Sequence, residues 1–423
     1  MNLFWSLIYN LIIAPLGVGF YIIFSVFSKK MRKGVGGRMK TFSQLRKLRE
    51  KYPDKELILF HSASLGEYEQ VKPVVKGVKA EKDVVTVVSF TSPSGYENAD
   101  RIPEVDLYIY LPFDVIFTTR KFLKLLNPEK IIFVTYELWP NILAAAKSFG
   151  IKTYLISARI RSTSRKWKFY TKSYFASLYR SVDNIFTVTA GDKDALENIL
   201  NTKEKNIQTL GDPRYDQVIQ RAEKRGNKNI PKFFEDGFII CIGSAWEQDL
   251  EVISQPLIDF VKSRDNVRLI VAPHETDDGH VNPIINQFEF VGIKTTRYSQ
   301  INGKCETPVL VVDGIGVLAE LYHQSDMAFV GGSFKKAIHN VMEPAIAGIP
   351  VLFGPFYHNS REAQQLVQME GGFSIKSSEE FDDIVKNLMD DEQRYQKVSA
   401  ASKNVILRNK GAGQRIVKQI FKN

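Results

Sequence analysis

The segment Met327-Ala-Phe-Val-Gly-Gly-Ser333 decides the fold, because it joins a short apolar run to a pair of glycines. An apolar run of this length is typical of a strand that is buried on both faces. Two glycines directly after the strand let the backbone approach a ligand closely. A helical pattern opens near Asn340 and completes the strand–loop–helix order of an α/β domain. Ligands of parallel sheets bind beyond the carboxyl ends of the strands, so we expect the site in such loops.

Apolar, β-branched runs of similar length recur on both sides of this segment, separated by longer amphipathic stretches. We predict buried strands at residues 57–61, 84–90, 131–134, 153–156, 185–188, 238–243, 267–272, 309–312, 327–330 and 350–353. Strands that alternate with helical patterns predict a parallel sheet. The polar run Arg221–Pro231 interrupts the alternation and is the best candidate linker. The predicted fold is α/β, with two Rossmann-like, doubly wound domains that face each other across a cleft.

Composition narrows the class of protein. A chain of 423 residues is too long for one ordinary core, and 44% hydrophobic with 25% charged residues is typical of a folded protein. The net charge of +10 suits anionic partners such as nucleic acid, anionic lipid headgroups or phosphorylated substrates. Cys241 and Cys305 lie far apart, which argues against a disulfide framework or a zinc site and indicates a reducing compartment.

The amino-terminal segment predicts a membrane anchor. No charged side chain occurs before Lys29, and Leu3–Phe27 is almost wholly apolar, long enough to cross a bilayer, which takes ~20 residues. It lacks the flanks of a cleaved signal peptide. A basic cluster follows, made of Lys29, Lys30, Arg32, Lys33, Arg38 and Lys40. By the positive-inside rule this cluster predicts that the rest of the chain is cytoplasmic. Spanning is favoured, although Pro15 and the nearby glycines leave open a helix that lies in the interface.

These observations divide the chain into three parts. Residues 1–28 are predicted as the membrane anchor, 29–220 as the N-terminal Rossmann-like domain and 221–423 as the C-terminal one. The last helix could return to the N-terminal domain. The sequence contains no short-period repeat and no low-complexity tract.

The stretch from Gly331 to Asn359 carries the features of an activated-sugar site. Gly331, Gly332 and Ser333 end the strand, and the helix near Asn340 presents N–H groups and a positive dipole end to a phosphate. Glu343, in the first turn, could accept hydrogen bonds from two ribose hydroxyls. It could equally complement the helix dipole.

Two further loops carry carboxylates at strand ends. In His61–Glu67, Glu67 is positioned either for general-base work or as a first-turn residue that the dipole stabilises. In Tyr136–Asn141, Glu137 would be a second carboxylate in the predicted cleft, and Trp139-Pro140 could be packing at a helix start.

Cationic side chains follow two other strands. Arg159 and Arg161 lie in Ser157–Ser162 and suit phosphate or carboxylate, although they could also form a solvated face. Arg214 lies in the turn Gly211–Asp216.

Several motifs are absent from the sequence. It contains no GxxxxGK[ST], CxxC or HExxH, which argues against a phosphate-loop nucleotidase and a zinc enzyme. The Asp-Asp pairs at 277–278, 382–383 and 390–391 lie in helical or turn contexts. We therefore predict no metal and no cofactor.

Together these loops resemble those of the Kdo (3-deoxy-D-manno-octulosonic acid) transferases of lipopolysaccharide assembly. The resemblance runs through the apolar amino terminus, Gly36-Gly37-Arg38, His61–Glu67, Glu137–Asn141, Ser157–Ile160, Gly211–Asp216, Gly243-Ser244 and Phe329–Asn359. It implies a GT-B fold with an acceptor-binding N-terminal domain and a nucleotide-sugar-binding C-terminal domain. It implies inverting, metal-independent transfer from CMP-Kdo to a lipid A precursor (lipid IVA-like), on the cytoplasmic side of the inner membrane.

The resemblance also assigns roles to residues. Glu67 would be the general base, and Glu137 and Arg214 would stabilise the transition state. CMP would be held by Pro273, His274, Ile315, Gly316, Val317 and the segment Asn340–Glu343. With the loop residues Gly331, Gly332, Ser333 and Asn359, these form the predicted donor site.

The chain departs from the family pattern at four places. Pro273-His274-Glu275 replaces Pro-Arg-His, and Ala245-Trp246 replaces Thr-His after Gly-Ser. Val317 stands where an acidic residue is usual, and Arg214 where a lysine is usual.

Three other functions remain open on the sequence. A GT-B-fold sugar-nucleotide epimerase would share the phosphate-binding half but would need no anchor. A transferase for a different donor sugar or lipid is the rival within the class. A non-catalytic binding protein would be expected to lack Glu67, which is present. Nucleic acid is disfavoured as a partner, since the basic residues are spread along the chain.

Overall fold

The computed structural model describes residues 3–161, 164–202, 206–224 and 231–422. They form two compact units. The first comprises the described residues up to Gln217 together with those from Gly411 onward, and the second runs from Val218 to Lys410. Part of the predicted linker is instead helical, since a helix continues to Glu223. Residues 225–230 of that linker lie outside the described residues.

The first unit is built on a seven-stranded parallel sheet with the order β3-β2-β1-β4-β5-β6-β7. Its strands are β1 (Leu57–Ser62), β2 (Val85–Phe90), β3 (Leu107–Tyr110), β4 (Lys130–Val134), β5 (Lys152–Ala158), β6 (Asn184–Thr187) and β7 (Asn206–Thr209). Both faces are covered. Leu57 and Leu59 of β1 enter one core, and Ile58 and Phe60 enter the other. This two-sided burial explains why the strand is apolar throughout.

The helices of the first unit precede the sheet, alternate with its strands and lead out of it. They are α1 (Leu3–Ile8), a π-helical turn (Tyr9–Ile13), α2 (Ala14–Phe27), α3 (Lys29–Lys51), α4 (Leu65–Glu81), α5 (Pro93–Asn98), α6 (Ile116–Leu126), α7 (Pro140–Ser148), α8 (Phe169–Ser181) and α9 (Ala190–Leu200). Helix α10 (Arg214–Glu223) begins in the first unit and ends in the second. A 3-10 turn, Arg165–Trp167, precedes α8.

The second unit contains another seven-stranded parallel sheet, with the order β10-β11-β9-β8-β12-β13-β14. Its strands are β8 (Phe238–Ala245), β9 (Val267–Pro273), β10 (Thr295–Arg297), β11 (Val309–Val311), β12 (Met327–Val330), β13 (Val351–Phe353) and β14 (Gly372–Ser374). Its helices are α11 (Glu247–Ser263), α12 (Asp278–Phe290), α13 (Leu318–Tyr322), α14 (Met342–Ala347), α15 (Arg361–Gln368), α16 (Ser378–Asp390) and α17 (Glu392–Leu407), and a 3-10 turn covers Tyr298–Gln300.

Four strands were not predicted: β3, β7, β10 and β14. They are the outer strands of the two sheets. Three of them, β7, β10 and β14, contain polar and partly exposed residues. An outer strand has a neighbour on one side only, so its sequence need not be a continuous apolar run.

The last helix, α18 (Ala412–Lys422), belongs to the first unit. Ile416, Val417 and Ile420 join the core around Ile58 and Phe60. The carboxylate of Asp216 accepts hydrogen bonds from the N–H groups of Gly411 and Gly413. These bonds fix the point at which the chain re-enters the first unit.

The amino-terminal helical stretch Leu3–Phe27 is, by length and composition, able to cross a membrane, with a mean hydropathy of 2.1. The basic cluster that follows is not uniformly exposed. Arg38 is only 7% exposed, donates to the carbonyls of Gly34 and Thr91 and lies over the ring of Phe113. The charge of Arg38 is therefore used inside the fold.

Candidate active site

Glu67 lies at the start of α4, in the loop that leaves the central strand β1. Ser64 accepts a hydrogen bond from the Glu67 N–H, and the Glu67 carboxylate accepts from the N–H groups of Ala63 and Ser64, at 2.5 and 3.2 Å. This reciprocal pattern is a capping box. The carboxylate is thus rigidly placed at the carboxyl edge of the sheet, with one role in holding the helix start.

The environment of Glu67 suits proton transfer near neutral pH. Burial and the nearby charge of Glu137 raise the pKa of Glu67 to about 7, against the hydrogen bonds from Ala63 and Ser64 and the charge of Lys166. Burial likewise raises the pKa of Glu137, and Lys166 opposes it. A group whose pKa lies near the working pH can both take and release a proton.

The carboxylate of Asp212 binds two arginine side chains. This aspartate is 1% exposed, and its Oδ2 atom accepts from Arg159 Nη2 at 2.5 Å and from Arg214 Nε at 3.0 Å. Burial would raise the pKa of Asp212, but the charges of Arg214 and Arg159 outweigh it and lower the pKa. Arg159 and Arg214 are therefore held in place by one buried carboxylate.

These groups line one cavity of about 560 Å³ in the first unit. Its walls are Ser64, Gly66, Glu67, Gln70, Thr135, Tyr136, Arg159, Arg161, Ser164, Lys166, Trp167, Tyr179 and Arg214. The structure thus brings Glu67 and Arg214 to one cavity. Glu137 is coupled to Glu67 by charge but does not line it.

Lys166, Asp212 and Thr135 are among the residues of this site that the sequence did not single out. Lys166 and Asp212 lie in or beside the loops that we singled out, but nothing in their spacing indicates a partner. Thr135, directly after β4, has a φ of 59° and donates to Gln70 Oε1 at 3.0 Å. A left-handed conformation is strained for a β-branched residue and is typical of functional sites.

In the second unit, Asp249 organises the loop Gly331-Gly332-Ser333. Its carboxylate accepts from the N–H groups of Trp246 at 3.0 Å, Gly332 at 2.7 Å and Phe334 at 3.3 Å. A Cβ on Gly331 would lie 2.3 Å from the carbonyl oxygen of Ser244. The glycine is thus required by close packing of two loops, whether or not a ligand also approaches.

Asn340 and Glu343 are engaged within the protein. Asn340 Oδ1 accepts from the N–H of Met342 at 3.0 Å, and α14 begins at Met342. The helix therefore starts later than predicted and is only six residues long, and Asn340 itself satisfies the first of its N–H groups. Glu343 accepts from Arg221 Nη1 at 3.1 Å, so its carboxylate is paired with a cation in this structure.

Three aromatic side chains stack at the carboxyl ends of β8 and β9. The Trp246 ring lies 4.2 Å from His274 and donates its Nε1–H to His339 Nε2 at 2.9 Å. His274 also stacks on His339 at 4.6 Å. Lys335 Nζ lies 3.7 Å from the centre of the Trp246 ring. Trp246 and His274, which both depart from the family pattern, therefore stack on each other.

The remaining predicted donor residues follow neighbouring strands at the same edge of this sheet. Pro273 ends β9 and is buried. Ile315, 90% exposed, and Gly316 follow β11, and Val317 caps α13. Ser333 Oγ accepts from the Gly354 N–H at 2.6 Å, which joins the loops after β12 and β13. Asn359 is exposed in the second of these loops.

One group of side chains could reach a cation. Ligand atoms of Glu275, Asp277 and His280 lie within 4.8 Å of one another, and all three residues are exposed. Asp277 also caps α12. Exposed acidic groups often lie together without an ion, so this arrangement by itself does not indicate a metal site.

Comparison with known proteins shows which family the chain resembles. The family model for 3-deoxy-D-manno-octulosonic-acid transferase (kdotransferase) matches residues 34–217. A Kdo transferase of Chlamydia muridarum is 27% identical over 87% of this chain and 86% of its own length. A Kdo transferase of Aquifex aeolicus is 25% identical over 76% of this chain and 82% of its own. Residues 34–217 thus match the Kdo transferase family model, and the chain is similar to Kdo transferases over most of its length.

The chain also resembles solved structures. UDP-GlcNAc 2-epimerase of Neisseria meningitidis, bound to UDP-GlcNAc, matches with a TM-score of 0.64 and 14% identity over 87% of this chain and 100% of its own. At this identity the likeness shows the fold alone. The fold is of the GT-B type, and the similarity to Kdo transferases supports a glycosyltransferase.

Proposed function

We propose that the protein transfers Kdo from CMP-Kdo to a lipid A precursor of the lipid IVA type, without a metal and with inversion. The observation that carries this proposal is Glu67: a buried carboxylate with a pKa near 7 in a cavity lined by Arg159, Arg161 and Arg214. A sugar hydroxyl is a weak nucleophile and needs a base. A phosphorylated acceptor needs cations.

In the proposed reaction Glu67 takes the proton of the acceptor hydroxyl. The oxygen attacks the anomeric carbon of Kdo, the bond from that carbon to the CMP phosphate oxygen breaks, and CMP leaves with the electron pair. Attack from the face opposite the leaving group inverts the anomeric configuration. Charge is conserved, because Glu67 becomes neutral as the phosphate of CMP gains a negative charge.

Arg214 and Glu137 would act beside the base. Arg214 would stabilise negative charge in the transition state, and its hydrogen bond to Asp212 fixes its direction. Such preorganised charges need no rearrangement during reaction. Glu137, coupled to Glu67 by charge, would tune the pKa of the base.

The donor would be bound by the second unit. We assign CMP to the loops that hold Pro273 and His274, Ile315–Val317, Gly331–Ser333, Asn340–Glu343 and Asn359. Their position at the carboxyl edge of a parallel sheet supports this assignment. Glu343 is paired with Arg221. A ribose could therefore bind there only if this ion pair separates, or if the ribose contacts Arg221 and Glu343 together.

We also propose that the protein works on the cytoplasmic face of the inner membrane, attached by Leu3–Phe27. The length and hydropathy of this helix and the exposed lysines after it support attachment to a bilayer with anionic headgroups. We propose no nucleic acid partner and no cofactor.

The test compares Glu67→Gln with the unchanged protein. Glutamine keeps an oxygen that can accept from Ala63 and Ser64, so the helix cap is retained while the base is lost. We expect transfer from CMP-Kdo to a tetra-acylated lipid A precursor to fall by about 10²-fold or more, measured by mass spectrometry, with CMP binding unchanged. Glu81→Gln, at the exposed end of the same helix, is the matched control and should keep full turnover.

The same assay distinguishes the proposed function from the alternative functions. Turnover retained in Glu67→Gln would reject the base assignment. A product of different mass would show another donor sugar. Conversion of a sugar nucleotide in the absence of the lipid would identify an epimerase instead.

A further inference from the structure

The helical stretch Leu3–Phe27 has two unlike faces. One face is buried or half-buried against the first unit and includes Trp5, Tyr9, Asn10, Ala14, Tyr21 and Ser25. The other face is exposed and apolar: Leu3, Phe4, Leu7, Leu11, Ile12, Leu16, Phe20, Ile23, Phe24 and Phe27 are between 45% and 82% exposed. The stretch therefore lies lengthwise on its own unit.

The π-helical turn Tyr9–Ile13 keeps the buried face continuous. Tyr9 is 7% exposed and Ala14 is 8% exposed, whereas Ile13 between them is 44% exposed. A π turn inserts one extra residue into a helix. It rotates Ala14, instead of Ile13, onto the unit, and Ser25 then follows on the same face after whole α-helical turns.

Polar contacts hold the first half of the stretch. Trp5 Nε1 donates to Ser173 Oγ of α8 at 3.0 Å. Asn141 Nδ2, at the start of α7, donates to Asn10 Oδ1 at 2.8 Å and also to the Asp114 carbonyl at 2.7 Å. Such directed side-chain bonds fix both the position and the rotation of the helix.

The second half is held by aromatic and cationic groups. The Tyr21 ring packs edge-on against Phe113 at 5.4 Å. The Arg38 guanidinium lies 5.0 Å from the centre of the same tyrosine ring and donates to the Thr91 carbonyl at 2.8 Å. A helix that crossed the bilayer would give up these contacts, and the amide oxygen of Asn10 would enter hydrocarbon without its Asn141 donor, although its Nδ2 group would keep its bond to the Ser6 carbonyl.

The surroundings of the exposed face suit a membrane surface. Phe169, 91% exposed, lies one turn before Ser173 on α8, on the side that meets Trp5. Exposed lysines follow or neighbour this exposed apolar face: Lys29, Lys30, Lys33 and Lys40 lie on α3, Lys172 lies on α8 and Lys168 directly precedes α8. An apolar stripe edged by lysines is typical of a helix that lies in the interface of an anionic bilayer.

We infer that Leu3–Phe27 is a docked, interfacial helix, with its apolar face in the membrane and its other face on the first unit. The partner is a bilayer surface that contains anionic lipid. This orientation differs from the one that the sequence favours, in which the helix spans the bilayer. The inference does not depend on which sugar is transferred, so its failure would leave the proposed reaction untouched.

Topology is tested on the full chain with one epitope tag at each end. In sealed inside-out inner-membrane vesicles, an external protease should remove both tags together, because both ends lie on the same side. A protected amino-terminal tag beside a digested carboxyl-terminal tag would overturn the inference. Vesicles opened with detergent control for the accessibility of each tag to the protease.

The partner is tested by flotation of the purified full chain with phosphatidylglycerol vesicles. We expect binding to fall by about tenfold or more when Lys29, Lys30 and Lys33 are changed together to Gln. The same change at Lys262, Lys294 and Lys376, exposed in the second unit, should leave it unaltered. Equal flotation of both triple variants would overturn the headgroup contact. If the protein did not float with the vesicles and formed a dimer in solution, a second copy of the chain would cover the exposed apolar face instead.

Discussion

At the residue scale, Lys166 and Glu67 show how a charge that is distant in sequence tunes a candidate base. Lys166 Nζ lies 4.3 Å from the ring centre of Tyr136 and 5.3 Å from that of Phe175. Burial lowers the pKa of Lys166, while Glu137 and Glu67 oppose the change. The ammonium group in turn favours the carboxylate form of Glu67, the form that can accept a proton.

We predict that transfer activity rises with pH and levels off above about 7, since only deprotonated Glu67 acts as a base. In Lys166→Met the pKa of Glu67 should rise, and the profile should move to higher pH. A move of about one unit would lower the rate at pH 7 by about fivefold. The measurement is kcat/KM against pH.

Lys147→Met removes an exposed lysine on α7 and serves as the control. Its profile should match that of the unchanged protein. If both variants gave the same profile, Lys166 would have no role in setting the charge of Glu67.

At the scale of one element, helix α3 uses two adjacent glycines in different ways. A Cβ on Gly37 would lie 2.2 Å from the ring of Tyr110, whereas nothing lies within 4 Å of a Cβ on Gly36. Tyr110 is 2% exposed and stacks on Tyr96 at 4.2 Å, so its ring has little room to move. Gly37 therefore sets how closely α3 packs on β3.

We predict opposite effects of alanine at these neighbours. Gly37→Ala should lower the free energy of unfolding by about 1–3 kcal/mol through overpacking. Gly36→Ala should raise it by up to about 1 kcal/mol, because alanine is the better helix former and the space is open. Urea unfolding of both variants measures the difference, and equal stability would contradict the packing argument.

At the scale of the whole molecule, the chain leaves the first unit after Gln217 and returns to it at Gly411. The stability of the candidate active site therefore depends on the last residues of the sequence. Ile420 is fully buried, in the same core as Phe60 of β1, the strand that leads to Glu67.

Ile420→Ala should lower the stability of the first unit by about 2–5 kcal/mol, through lost burial and a residual cavity. Lys418→Ala, exposed on the same helix, should have little effect. Thermal unfolding followed by calorimetry distinguishes the two. An unchanged unfolding temperature in Ile420→Ala would mean that α18 does not contribute to this core.

The sequence by itself determined the parallel α/β fold, since the inner strands are buried on both faces and must be apolar along their length. It also indicated the resemblance to Kdo transferases and singled out the Glu67 loop as a candidate site. The outer strands β7 and β10 escaped prediction, because a strand with one neighbour can be polar. Only the tertiary structure decided that Asp212 holds Arg159 and Arg214, that Asn340 accepts from the N–H of Met342 and that Trp5 and Asn10 contact the rest of the first unit. Each of these contacts joins residues by direction and distance in space, which local hydrophobic patterns do not encode.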